Sequence, residues 1–133
     1  MVWTVELVDE FDPEFDVLPT AVQDKILSGA QALETTGPEL GRPSVDTLKG
    51  SKFANMKELR FEIKGEGQAD GVWRVVFAFD TVRKAMLLVA GNKLGLRDKA
   101  EKKFYKELIK VADQRLTAHE ARLKGGKHGT KRK

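Results

Sequence analysis

Glu58 and Arg60 stand two residues apart in a stretch that alternates polar and apolar residues, so a strand there puts a carboxylate and a guanidinium on one face. Leu59, Phe61 and Ile63 take the other face. A second alternating stretch opens at Trp73-Arg74, where Trp73, Val75, Phe77 and Phe79 point one way and Arg74 shares the opposite side with Val76 and Ala78. A third ends in Gly91-Asn92-Lys93, and a basic helical stretch carrying Tyr105 follows. If the three strands pair in chain order, Arg60, Arg74 and Lys93 line one concave cationic face suited to phosphate. RNA cleavage is a reaction such residues can support, because the substrate's own 2′-hydroxyl can act as nucleophile. The protein then supplies a proton acceptor, a cation beside the transition state and a proton donor for the leaving oxygen. Arginine cannot be the base, but its planar fork matches phosphate. A Tyr or Lys whose pKa is lowered by neighbouring cations is one candidate acceptor. Glu58 is another, unless it only braces Arg60.

Those side chains need a frame, and the spacing of apolar residues supplies one. Residues 3–8 alternate as a first strand, and Asp12-Pro13 can start a short helical turn. From 19 to 34, Val22, Ile26, Leu27, Ala30 and Leu33 recur at helical spacing until Gly37-Pro38 stops them. Residues 37–55 show little periodicity and read as a long connection, of the kind that is functional or mobile. Strands are expected over 56–64, 72–80 and 84–91; the short links between them argue for an antiparallel meander. The last helix is expected over 98–123, with Phe104, Leu108, Ile109, Ala112 and Leu116 as its apolar stripe. Lys99, Lys102, Lys103, Lys106 and Lys110 crowd its other faces, with Glu107 and Asp113 placed to neutralise some of them. The segment 125–133 has no apolar residue and is expected to be a disordered basic tail after a single domain spanning 1–124.

Composition narrows the function classes. The chain has 133 residues, 41% of them hydrophobic, enough for one ordinary core. Its longest apolar run, 85–90, is strand-sized, so no membrane span or membrane partner is expected. The start lacks the layout of a signal peptide, and without cysteine there is neither a disulfide framework nor a thiolate metal site. The cytoplasm is therefore the expected setting. No His-Glu-x-x-His, Gly-x-Ser-x-Gly or phosphate loop occurs, and neither His119 nor His128 is placed for catalysis. Any chemistry falls to Arg, Lys, Tyr and carboxylates, with no metal or cofactor. The net charge of +4 is unevenly spread: fourteen basic and five acidic residues lie from Lys93 onward, while the first sixteen residues hold six acids and no base. The basic end suits a polyanion partner, or is simply a solvated helix.

Several motifs in order resemble a known family. Leu40-Gly41-Arg42-Pro43, Leu48-Lys49-Gly50-Ser51, Met56-Lys57-Glu58-Leu59-Arg60, Trp73-Arg74-Val75-Val76-Phe77 and Leu87-Leu88-Val89-Ala90-Gly91-Asn92-Lys93 are similar to the RelE/ParE toxin superfamily, closest to its HigB-like, phage-associated branch. Phe104-Tyr105 and Ala112-Asp113 fit the same branch. The resemblance implies a small α+β fold, with an N-terminal strand and helices on a twisted, mostly antiparallel sheet and a C-terminal basic helix. It also implies a toxin of a type II toxin–antitoxin system, a ribosome-dependent messenger RNA endoribonuclease neutralised by a helix-turn-helix antitoxin. On that resemblance the catalytic candidates are Arg74 at the scissile phosphate, Arg60, Lys93 closing the last strand, Tyr105 of the C-terminal helix and Glu58. The last stands where RelE has a lysine. Lys49, Lys52, Lys57, Lys102 and Lys106 are the candidates for RNA contact. A ParE-like DNA gyrase inhibitor and an inactive basic nucleic-acid-binding domain are the alternatives.

Overall fold

The computed structural model describes residues 3–125. Gly125, expected to begin the disordered basic tail, is instead the last residue of the final helix, and the rest of that tail, with His128, lies outside the described residues. In chain order the elements are β1 (Thr4–Leu7), α1 (Asp12–Asp16), α2 (Thr20–Thr36), β2 (Val45–Thr47), β3 (Lys57–Ile63), β4 (Gly71–Phe79), β5 (Lys84–Asn92) and α3 (Asp98–Gly125). This is the expected α+β arrangement, with one strand more than the alternation predicts. The five strands form one sheet in the order β1-β5-β4-β3-β2. The β3-β4-β5 meander is antiparallel, whereas β1 returns beside β5 in parallel, pairing Val5 with Ala85 and Leu7 with Leu87.

The strand β2 was hidden in the segment without periodicity. It has only three residues, pairs Val45 with Leu59 and Asp46 with Glu58, and borders the sheet. A strand this short cannot display an alternating pattern, so its pairing rests on the neighbour rather than on its own sequence.

Both faces of the sheet are covered. Leu59, Val75, Trp73 and Phe77 face α2, whose buried Val22, Ile26 and Leu33 are spaced as the sequence predicts. Gly29 sits where any Cβ would collide with the Leu59 side chain, so α2 approaches β3 closely at this point. The helix stops at Gly37, which takes φ 68° and donates its N–H to the Leu33 carbonyl. On the opposite face α3 lies across β4 and β5. A Cβ on Gly91 would meet the Phe104 ring at 2.8 Å, so glycine at this position lets α3 settle onto the sheet. Burial of Val75, Val76 and Phe77 to 0% exposure follows from a central strand with a helix on each side.

Four polar anchors fix the later half of α3. Asp113 accepts hydrogen bonds from Ser51 Oγ and from the Lys52 N–H. It was expected to neutralise neighbouring lysines; instead it ties down the 49–53 loop, because its side chain points to that loop rather than along the helix. Arg115 donates to the Leu88 carbonyl at 2.8 Å and pairs with Glu14. His119 Nε2 lies 2.9 Å from Oδ2 of buried Asp80, whose Oδ1 receives the Val82 and Lys84 N–H groups of the β4–β5 turn. Arg122 pairs with Asp9 and Glu10. Among the described residues no helix is long and apolar enough to cross a membrane.

Candidate active site

Register decides what the sheet presents to α3. Arg60 and Arg74 are direct partners across β3 and β4, and Glu58 lies two residues along β3 on the same face. Two guanidiniums side by side repel unless an anion separates them. Glu58 performs that role: its Oε1 is 3.6 Å from Arg74 Nε and its Oε2 is 3.8 Å from Arg60 Nε. Seating of α3 on Gly91 brings Tyr105 over the pair. The Tyr105 hydroxyl accepts from Arg74 Nε and donates to Glu58 Oε1, both at 3.0 Å. Arg74 also donates Nη1 to its neighbour's carbonyl at Trp73, 3.0 Å away. Glu58 and Arg74 are only 5% and 6% exposed and Tyr105 is half-buried, so this is a largely buried Glu–Tyr–Arg network.

Burial has electrostatic consequences. Desolvation pushes the Glu58 carboxyl above the ordinary 4.5, although the Tyr105 hydrogen bond and the charges of Arg74 and Arg60 pull it back down. A carboxylate raised toward neutrality is a better proton acceptor than an ordinary surface acid. Tyr105 is also shifted upward from 10.0, first by burial and then by the Glu58 charge, against the pull of Arg74. The expectation of a tyrosine with its pKa lowered by cations is therefore corrected. Tyr105 keeps its proton at neutral pH.

Two clefts flank the network. One, of about 610 Å³, is lined by Arg42, Pro43, Arg60, Phe61, Glu62 and Arg74. The other, of about 460 Å³, is lined by Lys49, Gly50, Glu101, Lys102, Tyr105, Lys106 and Ile109. Arg74 thus faces the first and Tyr105 the second. The structure gathers Glu58, Arg60, Arg74 and Tyr105 into one site, with Lys49, Lys102 and Lys106 beside it. Lys93 stands next to the site through α3: its Nζ pairs with Glu101, and the hydrogen bond and charge of Lys93, with the more distant charge of Arg74, hold that carboxyl below its usual range. Lys57 falls on the Leu59 side of β3, facing away, and its Nζ reaches Thr47 Oγ1 at 3.4 Å. Lys52 lies in a separate groove with Phe53, Thr117 and Lys124, its Nζ 5.6 Å above the Phe53 ring. Among the described residues no cluster of His, Asp and Glu could hold a metal ion.

Arg42 and Asp46 escaped sequence reasoning. Asp46, on β2, receives Arg42 Nη2 at 2.8 Å and stands 3.6 Å from Arg60 Nη1. The available signal was the i, i+4 spacing of Arg42 and Asp46 around the apolar Val45, within a segment that seemed structureless only because its strand is three residues long.

The family described as phage derived protein Gp49-like (DUF891) matches residues 13–117. The chain belongs to this family. Two Mycobacterium tuberculosis proteins named as toxins are similar to it: HigB2, 36% identical over 125 residues, and HigB3, 38% identical over 111 residues. The matches cover 94% and 84% of this chain, but 58% of the HigB2 protein and 88% of the HigB3 protein. The chain therefore spans little more than half the length of the first of these relatives. Among solved structures, a mutant of Escherichia coli toxin RelE in the free state superposes with a TM-score of 0.50 at 11% identity, covering 77% of this chain and 98% of that one. The Gp49-like chain thus has a RelE-like fold, and its similarity to HigB2 and HigB3 makes it HigB-like.

Proposed function

We propose that this chain is the toxin of a type II toxin–antitoxin pair and cleaves messenger RNA on the ribosome without a metal. The observation that carries this reading is the buried Glu58–Tyr105–Arg74 network opening onto an arginine-lined cleft. In the proposed reaction Glu58 accepts the proton of the 2′-hydroxyl as that oxygen forms its bond to phosphorus. Arg74, with Nε and Nη1 held by Tyr105 and the Trp73 carbonyl, offers Nη2 to a non-bridging phosphate oxygen, and Arg60 neutralises the charge that builds there. The bond from phosphorus to the 5′-oxygen breaks, and Tyr105 passes its hydroxyl proton to that oxygen. Glu58, now protonated, reverses the hydrogen bond it accepted from Tyr105 and donates the proton to the Tyr105 oxygen. The products are a 2′,3′-cyclic phosphate and a free 5′-hydroxyl, and the protein ends in its starting state.

The toxin role also draws support from the names of the two mycobacterial relatives. It carries with it an antitoxin partner, expected to be of the helix-turn-helix type, and a cytoplasmic setting beside ribosomes. Induction of the protein in a bacterium should arrest translation and leave cuts in ribosome-bound messages. Arg74→Ala should reduce cleavage by about 100- to 1,000-fold, the loss seen when one preorganised charge donor is removed. A folded Arg74→Ala variant that still cuts and arrests growth would sink the mechanism, and DNA-damage signalling without message cleavage would point to gyrase.

A further inference from the structure

The first cleft holds three guanidiniums, each set against a carboxylate in a particular arrangement. Arg74, Glu58, Arg60, Asp46 and Arg42 form a line of alternating charge, with successive closest approaches of 3.6, 3.8, 3.6 and 2.8 Å. Exposure rises along that line: the side chains of Arg74, Arg60 and Arg42 are 7%, 31% and 73% exposed. One end is a buried reaction centre and the other a solvent-facing guanidinium, yet both ends line the same cleft. Asp46 is itself fixed, because its Oδ1 accepts the Thr47 N–H at 2.9 Å and its backbone is held in β2 opposite Glu58. The Arg42 contact uses only Nη2, so Nε and Nη1 stay available to a ligand.

We infer that Arg42 is a substrate-binding residue, held by Asp46 beside Arg60, that takes the phosphodiester adjacent to the scissile one. A single-stranded RNA lying in this cleft presents phosphates at regular intervals, and a protein that grips two successive linkages fixes the register of the one it cuts. Glu58 confines Arg74 and shares Arg60 at the first phosphate, while Asp46 shares Arg60 with Arg42 at the second. Asp46 is a positioning residue. It touches no substrate but keeps two guanidiniums from splaying apart, at the cost of some of their positive charge.

This inference rests on reading the cleft as an RNA site, and binding can be tested apart from cleavage. The probe is a short RNA made uncleavable by a single 2′-deoxy sugar at the cut, with one methylphosphonate, an uncharged linkage, moved along it. The full chain should bind the all-phosphate probe about ten- to hundredfold better than the probe carrying methylphosphonate at one linkage flanking the cut, the range of one charge-assisted contact. Arg42→Ala should weaken the all-phosphate probe by a similar factor and then lose no more when that linkage is neutralised. Asp46→Asn retains both arginines, so it should keep overall affinity within a few-fold while blurring the preference for that linkage. Arg42→Lys should restore affinity only in part. Independent, multiplying effects of Arg42→Ala and the neutral linkage would overturn the second subsite, as would wild-type binding indifferent to every flanking linkage. Cleavage that fails while the linkage-specific binding holds would remove the catalytic reading and leave this one standing.

Discussion

At the scale of single residues, Glu58 carries a conflict between stability and chemistry. Its carboxyl titrates above its unfolded value chiefly because it is buried, so the folded state holds the proton more tightly than the unfolded chain does. The sign follows: below pH 4.5 Glu58 is neutral in both states and costs nothing, and stability is lost as pH rises through the raised folded value. Glu58→Gln removes both the burial penalty and the anion between Arg60 and Arg74. Because burial is the larger of the two effects, the variant should melt modestly higher than the wild type at pH 7, with the gap closing as pH falls toward 4.5, while RNA cleavage disappears. Thermal melts of both proteins from pH 4 to 8 measure it; a Gln variant less stable at pH 7 would show that the Arg74 charge, not burial, dominates Glu58. Much of this site is legible from alternation alone, because a period of two fixes Glu58, Arg60 and Arg74 to one face once register is known. Tyr105 is not. It neighbours Phe104 in a helix stripe where one ring must turn inward, and only the packing of Phe104 on Gly91 turns Tyr105 toward Glu58.

At the scale of elements, the site exists only where α3 meets the sheet, so the fit of α3 sets its geometry. Gly91→Ala puts a methyl group against the Phe104 ring and Leu108, contacts of 2.8 and 3.2 Å that the neighbours must relieve. The expected cost is about 1–3 kcal/mol for overpacking, with activity falling further than stability explains, because the lifted helix draws the Tyr105 hydroxyl off Arg74 and Glu58. Denaturant melts beside cleavage rates test this. A variant with normal melting and normal activity would mean the helix adjusts without moving Tyr105. The strand β2 carries the opposite lesson about legibility. Its three residues had no pattern to read, yet its edge position brings Asp46 opposite Glu58 and so completes the line of charges.

At the scale of the whole molecule, the uneven charge of the sequence resolves into two separate uses of α3. Its later half is a clamp: Arg115 and Arg122 take up Glu14, Glu10 and Asp9, so the acidic start of the chain binds its own basic end instead of remaining a free surface. For Glu10, burial works to raise the pKa, but hydrogen bonds and the charges of Arg122 and Arg115 outweigh it and leave the group lowered. Its contribution to stability is present above 4.5 and disappears as pH falls through the lower folded value, opposite in sign to Glu58. The earlier half keeps Lys99, Lys102, Lys103, Lys106 and Lys110 exposed, two of them lining the cleft beside Tyr105. These halves should separate experimentally. Replacing Lys102 and Lys106 by alanine should leave stability within about 0.5 kcal/mol, since surface changes cost little. It should also make the plot of log affinity for single-stranded RNA against log salt shallower by about 1.4, roughly 0.7 for each lost phosphate contact. Arg115→Ala should do the reverse. It leaves the Leu88 carbonyl and Glu14 without their charged donor, at a cost of about 1.5–3 kcal/mol, and it keeps the salt slope unchanged because Arg115 faces Glu14 rather than the cleft. If Arg115→Ala flattened the salt plot as much as the lysine pair does, α3 would be a single continuous RNA-binding surface and the acidic segment only its counter-ion.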